Sequence, residues 1–471
     1  MDHEAGMQPL LMTPEILLFV GGLLALITGS FLPRRRLWWI GAATAAVQIA
    51  VIVVSAVQLT KPAQLAFGGA FAVDTATGVA RIACTGGLLL IWVLAGEQMR
   101  ASPRESEMYA LLLFSTTGVV VLAGAQDLLL LIAGYFLASI PLYGLLGIVR
   151  SPAAAEAALK AYLMGALFGI LLMGGVTILY GVTGATRYMD LMTPLGAAPT
   201  VAVAAGVIGV LAGLMFEAGG VPAHFWVPDA AQGANVTAAT FLTTIPKIGA
   251  LIALYRLATV LPGTVAWPIL IAAFAVASMT LANLAAYWQR DPRRLLGWST
   301  VSQVGYLLVP IVVVGRSDLA LPSLLFYLIG YTVTNIAAFA VIAALPERPD
   351  LDSYRGMIRT RPWLASALVV ALLGLVGTPP TAVFIGKVTT AAAAWDGQYA
   401  WLAVVVFVNT VISLFYYLRW IVPTVRAKPD PADTSGDGGV AQPWAARIAV
   451  LAAAASLLLG VAAGPVWQLL S

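Results

Sequence analysis

Charged side chains are scarce in this chain. They make up 10% of its 471 residues, whereas hydrophobic residues make up 61%, and the mean hydropathy is +0.93. A composition this apolar excludes a sizeable soluble domain and is typical of a chain that crosses a membrane many times. The net charge of +4 does not indicate a nucleic-acid partner, because the basic residues are spread over short loops between apolar runs.

Cysteine and histidine are also rare. The single cysteine, Cys84, cannot form an internal disulfide bond, and alone it cannot hold an iron–sulfur cluster or a structural zinc. His3 and His224 are too few and too far apart in the sequence for paired haem ligation. The chain lacks a dinucleotide-binding glycine fingerprint and a P-loop. We therefore expect no cofactor or metal on this chain, and an energy source supplied by a partner or an ion gradient.

Apolar runs long enough to span a bilayer occur fourteen times. The sequence therefore predicts an all-α, multi-pass membrane protein with about fourteen transmembrane helices. Alternate loops, beginning with Arg34–Arg36, hold fifteen lysine and arginine residues, whereas the opposite loops hold four. Basic loops face the cytoplasm in bacterial membranes, so both termini are predicted to lie outside.

Two of the predicted spans are too long for one straight helix. Residues 362–394 would extend roughly 50 Å as a helix, against a hydrocarbon core of about 30 Å. Proline interrupts helices, so breaks are predicted at Gly377-Thr378-Pro379-Pro380 in the twelfth span and at Gly219-Gly220-Val221-Pro222 in the seventh, 200–229. Irregular backbone at membrane depth survives where it is buried in protein or lines a wet cavity.

The two breaks lie five spans apart, which predicts a repeated architecture. Spans 4–8 and 9–13 are interpreted as two five-helix repeats, and the odd number of spans inverts the second repeat relative to the first. The predicted segments are an N-terminal three-helix segment (1–107), two repeats (108–260 and 261–425), and a linker with a C-terminal helix (426–471). The linker, 426–442, is polar and rich in Pro, Gly and Asp.

Three lysines lie inside apolar stretches. Lys247 falls roughly 16 Å along its predicted helix, near the middle of a bilayer. A charge at that depth costs at least about 2.5–3.5 kcal/mol on insertion scales, and such residues usually mark an ion or proton path. Lys387 is equally far from an interface. For Lys160 a second interpretation stays open, since a lysine near a helix end can extend its ammonium group to the interface.

Other polar groups accompany the breaks. Glu217 directly precedes the first break and is a candidate to exchange a proton or an ion-pair partner with a nearby lysine, because burial favours the neutral form of both groups. The alternative is a static salt bridge. His224 and Asp229 follow the same break as candidate proton-entry groups, or as residues that only stabilise the loop.

The tenth predicted span contains a cluster of three polar side chains. Ser302, Gln303 and Tyr306 lie in SxxSQVGY (299–306), where they are candidates to hold water between charged stations. Hydrogen bonding between helices is an equal alternative.

Six motifs occur in one order over nearly the whole chain. They are SIPLYGLLG (139–147), EAALKAYLMGA (156–166), VPAHFWVPDAAQGANVTAATFLTTIPKIG (221–249), RRLLGWSTVSQVGYLL (293–308), GTPPTAVFIGKV (377–388) and NTVISLFYYLRW (409–420). With these motifs the chain resembles the subunit N family of bacterial NADH–quinone oxidoreductase (respiratory complex I), one of the antiporter-like membrane subunits.

The resemblance implies a fourteen-helix fold with broken seventh and twelfth helices, and proton translocation driven by quinone reduction elsewhere in the complex. It implies that Lys160, Lys247 and Lys387 take the places of the family's buried lysines. It also implies a location in the bacterial inner membrane, with other membrane-arm subunits as partners. NADH, flavin, iron–sulfur clusters and quinone are then expected on other subunits, and no redox chemistry on this chain.

Three positions depart from the family pattern. Phe136 stands where the family usually has a glutamate, Glu217 where it usually has a lysine, and Gln303 where a histidine is common. The usual Glu–Lys pair is therefore absent, and Glu217 is predicted to partner Lys160 or Lys247 instead. Two alternatives stay open at this point. One is a cation/proton antiporter or membrane-bound hydrogenase subunit of the same superfamily, and the other is a non-conducting structural subunit.

Overall fold

The computed structural model describes residues 7–99, 102, 104–426 and 442–470, which are nearly all helical. Its 19 α-helices are, in chain order, α1 (Thr13–Phe31), α2 (Trp38–Leu59), α3 (Thr75–Gln98), α4 (Glu105–Gly124), α5 (Leu128–Leu146), α6 (Pro152–Thr183), α7 (Tyr188–Ala197), α8 (Thr200–Ala218), α9 (Trp226–Gly233), α10 (Val236–Ala258), α11 (Trp267–Ala286), α12 (Pro292–Val312), α13 (Ala320–Ala344), α14 (Met357–Thr360), α15 (Pro362–Val376), α16 (Ala382–Asp396), α17 (Ala400–Arg426), α18 (Pro443–Val461) and α19 (Ala463–Leu470).

Thirteen of the described helices are long and apolar enough to cross a membrane. The remaining predicted span, the twelfth, consists of two shorter helices, α15 and α16. The prediction of an all-α polytopic membrane protein with broken seventh and twelfth helices is therefore confirmed. The orientation of the termini stays a prediction.

Some elements were not predicted from the sequence. Gln64–Ala66 and Phe71–Val73 pair as a short antiparallel hairpin between α2 and α3. The short helix α7 lies between α6 and α8 and exposes Met189 and Met192. The predicted linker, 426–442, falls almost entirely on residues outside the described ranges.

Both breaks end their first half-helix in the same way. Gly219 follows α8 and Gly377 follows α15, and each adopts a left-handed conformation, with φ of 79° and 88°. The Gly219 amide donates to the carbonyl of Phe216, and the Gly220 amide donates to that of Met215. This is a Schellman motif, which satisfies two of the carbonyls that a helix C-terminus leaves free.

The second break repeats this pattern. The Gly377 amide donates to the Gly374 carbonyl at 2.8 Å, and the Thr378 amide donates to the Leu373 carbonyl at 3.1 Å. In both places the carbonyls of the last two helical residues gain no partner from the motif itself. A helix end buried in the protein must find other donors for them.

The described residues form two compact units. The first lies within Met1–Leu89, Ala101–Trp226 and Ile245–Phe274, and the second within Leu90–Arg100, Val227–Thr244 and Ala275–Ser471. In the first unit α4 packs along α5 and α6 along α8, and in the second α13 packs against α15, α16 and α18. The division into repeats at 108–260 and 261–425 stays a prediction.

Close helix packing in the first unit requires glycine. A Cβ atom added at Gly118 of α4 would lie 2.1 Å from the backbone nitrogen of Ala138 in α5. Small residues allow helix backbones to approach in this way inside membranes, where burial alone gives little driving force.

We expect Gly118→Ala to destabilise the protein by about 1–3 kcal/mol, because backbone atoms must move apart to admit the new methyl group. Gly86→Ala is the matched control, since a Cβ atom there meets no heavy atom within 4 Å. Thermal denaturation of the purified protein in detergent measures both. Equal melting temperatures for the two variants would contradict the tight α4–α5 contact.

Candidate functional site

Lys247 lies on α10 and is fully buried, with 0% of its surface exposed. Its Nζ atom donates a hydrogen bond to the backbone carbonyl of Glu217 at 3.2 Å. The same atom lies 5.4 Å from the ring centroid of Trp226, at the start of α9. The ammonium group is thus held between the C-terminal end of α8 and an aromatic ring that follows the break, a position in which both contacts attract a cation.

Lys387 is held in a corresponding way in the second unit. It lies on α16, is 2% exposed, and donates to the carbonyl of Val376 at 2.9 Å and to that of Leu375 at 3.5 Å. Its Nζ atom lies 3.9 Å from the ring centroid of Tyr306. Each buried lysine therefore bonds carbonyls that the Schellman motif before it leaves free, at the negative end of a half-helix.

Neither lysine forms an ion pair with a carboxylate among the described residues. A helix C-terminus carries roughly half an elementary negative charge, so it compensates a buried ammonium group in part. Carbonyl acceptors also remain satisfied when the lysine is neutral, because a neutral amine still has N–H groups. The arrangement therefore tolerates both protonation states of each lysine.

Glu217 contributes both its backbone and its side chain to the site. Its backbone carbonyl receives Lys247, while its carboxylate Oε2 accepts a hydrogen bond of 2.6 Å from the hydroxyl of Ser139 on α5. The other oxygen, Oε1, is buried and has no hydrogen-bond partner within the described part of the chain. The predicted partnership of Glu217 with Lys247 thus takes the form of a backbone contact and not a salt bridge.

Phe136 occupies the position where the resemblance leads one to expect a glutamate. It is half-buried, and its ring stacks edge-on against that of Tyr135 at 5.2 Å. Ser139, the partner of the Glu217 carboxylate, lies three residues later, on the same side of α5. The carboxyl group of Glu217, on α8, therefore lies beside α5, about one helical turn from Phe136 along that helix.

The expectation that Lys160 is buried is wrong for this chain. Its side chain is 45% exposed and pairs with Glu156 at 2.7 Å, an i,i+4 ion pair. Helix α6 begins at Pro152, four residues earlier than expected, so Lys160 lies about 12 Å along the helix. It sits on the outward side of α6 beside the exposed Leu159 and Leu163. Its pairing with Glu217 stays a prediction.

Gln303 links the second break to a neighbouring helix. Its Nε2 donates to the Leu375 carbonyl at 2.8 Å, and its Oε1 accepts a hydrogen bond from the Tyr327 hydroxyl at 2.6 Å. The Leu375 carbonyl is thus shared by Gln303 and Lys387. The Leu375 carbonyl can only accept, so it fixes the direction of the Gln303 amide, and Gln303 bonds the end of α15 whatever the charge of Lys387.

The other residues of the tenth span lie nearby. Tyr306 places its ring against Lys387, as described above. The Ser302 hydroxyl donates to Oδ1 of Asn283 on α11 at 2.8 Å. For Ser302 the helix–helix hydrogen bond is therefore the observed arrangement.

His224 and Asp229 both follow the first break. His224 lies between α8 and α9, is buried, and packs against the ring of Phe225 at 4.5 Å. Asp229 lies on α9 and accepts a hydrogen bond of 2.6 Å from Arg294 of α12. This ion pair fits the alternative in which Asp229 stabilises the structure. The described residues contain no group of three or more His, Cys, Asp or Glu that is placed to hold a metal ion.

One buried and one half-buried ion pair were not predicted from the sequence. Arg81 of α3 is fully buried and pairs with Glu15 of α1 at 2.7 Å, and Arg256 at the end of α10 pairs with Asp74 at 2.6 Å. Arg81 is a charge inside an apolar run, so the criterion that selected the three lysines applies to it as well. Arg256 belongs to the last turn of α10.

Comparison with known proteins agrees with this geometry. Residues 125–413 match the family described as NADH:quinone oxidoreductase/Mrp antiporter, TM. The chain is 76% identical to NADH-quinone oxidoreductase subunit N of Mycobacterium sp. (strain JLS), over 100% of both chains. It is 46% identical to NADH-quinone oxidoreductase subunit N 1 of Streptomyces griseus subsp. griseus, over 98% of both.

Solved structures show the same fold. A chain of respiratory complex I from Thermus thermophilus is 30% identical, with a TM-score of 0.82 over 97% of this chain and 99% of that one. A chain of the Mrp complex from Dietzia sp. DQ12-45-1b is 22% identical with a TM-score of 0.84, over 100% of this chain and 96% of that one, which shows the fold alone.

We expect Ser139→Ala to lower the free energy of unfolding by about 1–3 kcal/mol, because it removes the hydrogen-bond donor that the described residues provide to a buried carboxyl group. The cost should nearly vanish in a Glu217→Leu background, where no carboxyl group remains. Thermal denaturation of the two single variants and the double variant measures this coupling.

Ser30→Ala is the matched control for this cycle, since the Ser30 hydroxyl bonds the Leu26 carbonyl within its own exposed helix. A Ser139→Ala cost that is the same with and without Glu217 would show that the Ser139–Glu217 hydrogen bond contributes nothing to stability.

Proposed function

Since the chain belongs to the family of NADH-quinone oxidoreductase subunit N, we propose that it carries protons through the bacterial inner membrane, using Lys247 and Lys387 as proton stations. The energy comes from quinone reduction elsewhere in the complex. The observation that carries this proposal is the placement of both lysines, each buried at the end of a broken half-helix without a carboxylate partner among the described residues.

This placement supports proton exchange for a physical reason. A buried ammonium group in a salt bridge is fixed in its charged form, because loss of its proton leaves the carboxylate uncompensated. Lys247 and Lys387 are compensated by carbonyl dipoles and aromatic rings instead. A change in charge nearby therefore shifts their proton occupancy without breaking an ion pair.

Glu217 acts in this scheme as the modulating acid. Its backbone touches Lys247, and its carboxyl group can gain or lose a proton beside Ser139. Lys387, at the second break, serves as the station toward the far side or a neighbouring subunit. Lys160 remains a candidate modulating group, on the outward side of α6, where a neighbouring subunit would bury it.

The redox chemistry lies elsewhere in this proposal. NADH, flavin, iron–sulfur clusters and quinone belong to other subunits, and the partners of this chain are other membrane-arm subunits of a complex I-like assembly. The relatives named above are oxidoreductase subunits, which favours this function over that of a cation/proton antiporter or a hydrogenase subunit.

The capping contacts support a second candidate, a static structural subunit. A lysine that bonds the end of a half-helix stabilises the break whether or not it ever exchanges a proton. Glutamine separates the two functions, because its amide can donate to the same carbonyl and cannot carry a proton.

We expect the complex with Lys247→Gln to assemble and to lose most of its proton pumping after reconstitution into vesicles, since the substituted side chain keeps a donor and loses the titratable group. Pumping is measured by the quenching of a pH-sensitive dye during NADH oxidation. Lys61→Gln is the matched control, an exposed lysine in the loop after α2.

Undiminished pumping with Lys247→Gln would refute the role of Lys247 as a station and favour the static cap. Lys247→Ala, which removes both the donor and the charge, then reports how much the cap contributes to assembly.

A further inference from the structure

Helix α18 packs against the broken twelfth span. Its inner face consists of small buried residues, several alanines followed by Ser456 and Gly460. The helix lies along α13 and also contacts α15 and α16, the two halves of the break. Small residues allow helix backbones to approach closely inside membranes. Helix α18 therefore touches both of the half-helices that Lys387 connects.

Gly460 brings the backbone of α18 into contact with the loop of the break. A Cβ atom added at Gly460 would overlap the carbonyl oxygen of Pro380 and lie 2.6 Å from the carbonyl carbon of Thr381. Gly464, which follows in α19, differs, because a Cβ atom there meets no heavy atom within 4 Å. The atoms beside Gly460 belong to the backbone, so the rotation of a neighbouring side chain cannot make room for a methyl group.

Ser456 joins α18 to α13, one turn before Gly460. Its hydroxyl oxygen lies 2.6 Å from that of Thr334. Thr334 donates its own proton to the Gly330 carbonyl at 2.6 Å, so Ser456 is the donor of the pair. Thr334 also contacts α15, since a Cβ atom at Gly374 would lie 2.7 Å from its methyl carbon. Ser456 thus bonds the turn of α13 that packs on the first half of the break.

The second half of the break packs on the same turn of α13. A Cβ atom at Gly330 would lie 2.8 Å from that of Ala382, the first residue of α16. The preceding residue, Thr381, is buried, and its amide and hydroxyl both donate to the Thr378 carbonyl, at 3.1 Å and 2.7 Å. The start of α16 is therefore held by contacts with α13 and with Gly460 of α18.

The hydrogen bonds of Lys387 depend on the spacing of the two half-helices. Lys387 lies on α16, whereas its acceptors, the carbonyls of Leu375 and Val376, belong to the end of α15. Its side chain lies against the loop, because a Cβ atom at Gly377 would be 2.9 Å from Cδ of Lys387. A shift of α16 relative to α15 changes the distance between Nζ and these carbonyls.

We propose that α18 positions Lys387, with Gly460 and Ser456 as the positioning residues. The contact of Gly460 with the Pro380 carbonyl fixes the loop, and the Ser456 hydrogen bond keeps α18 in place on α13. Both residues act on Lys387 through the spacing of α15 and α16. This inference rests on the proposed function, in which Lys387 is a proton station.

The test compares Gly460→Ala with its matched control, Gly464→Ala, in the whole complex reconstituted into vesicles. Pumping is measured at several pH values by dye quenching during NADH oxidation and is divided by the amount of assembled complex. We expect Gly460→Ala to lower pumping on the order of tenfold, because a displacement of about 1 Å can cost up to about a hundredfold at a reacting site. Gly464→Ala should pump like the wild type.

The pH profile separates positioning from a general loss of stability. A displaced Lys387 loses the carbonyl that stabilises its ammonium form, so the loss of pumping should grow as the pH rises. A complex that is only less stable would pump less by the same factor at every pH. Such a constant factor, or wild-type pumping by Gly460→Ala, would overturn the inference.

Two further variants complete the experiment. If Lys387→Gln loses pumping while Gly460→Ala keeps it, this inference alone fails; if Lys387→Gln pumps fully, the proposed station fails as well. Should Gly460→Ala not assemble, Ser456→Ala decides the question, since it removes one hydroxyl and adds no atoms. It should show a smaller loss with the same dependence on pH, and wild-type pumping at every pH would contradict the positioning role.

Discussion

The structure depends on hydrogen-bond donors for the carbonyl groups at the ends of two half-helices inside the protein. A helix that stops at membrane depth leaves carbonyl groups that neither lipid nor, in a packed interior, solvent can satisfy. In α8 and α15 a left-handed glycine closes part of the end, and a lysine from a later helical segment supplies the remaining donor. Burying an ammonium group costs free energy, and so does burying a carbonyl that has no donor. The hydrogen bond between these two groups lowers both costs.

The same contact explains why lysine suits these positions better than other donors. Arginine does not lose its proton in proteins, so it would fix a charge at the break. Serine or glutamine would donate a hydrogen bond without any charge to exchange. Lysine closes the helix end in either protonation state, so the structural contact is compatible with the proton transfer proposed above. In α15 the additional bond from Gln303 keeps the Leu375 carbonyl satisfied in either protonation state of Lys387.

The breaks and the two buried lysines could be predicted from the sequence, because glycine, proline and an isolated charge in an apolar run have local physical consequences. The residues that complete the site could not. Ser139 bonds Glu217 across 78 positions of the chain, and no local pattern indicates which serine of an apolar helix faces an acid. The exposure of Lys160 could not be predicted for a similar reason: the apolar run around it indicates a membrane span, but the direction of its side chain depends on helix packing.

The charged residues near the first break are arranged differently from what the sequence resemblance implies. The sequence resemblance leads one to expect an acid on α5 and a base on α8, whereas Phe136 and Glu217 stand at those positions. Glu217 is an acid near the end of α8, and its backbone carbonyl accepts a hydrogen bond from Lys247. In a low-dielectric interior, a charged Lys247 and a charged Glu217 lower each other's cost, and so do a neutral amine and a neutral acid. The first break therefore brings an acid at the end of α8 next to a base on α10 through a backbone contact, without a salt bridge between them.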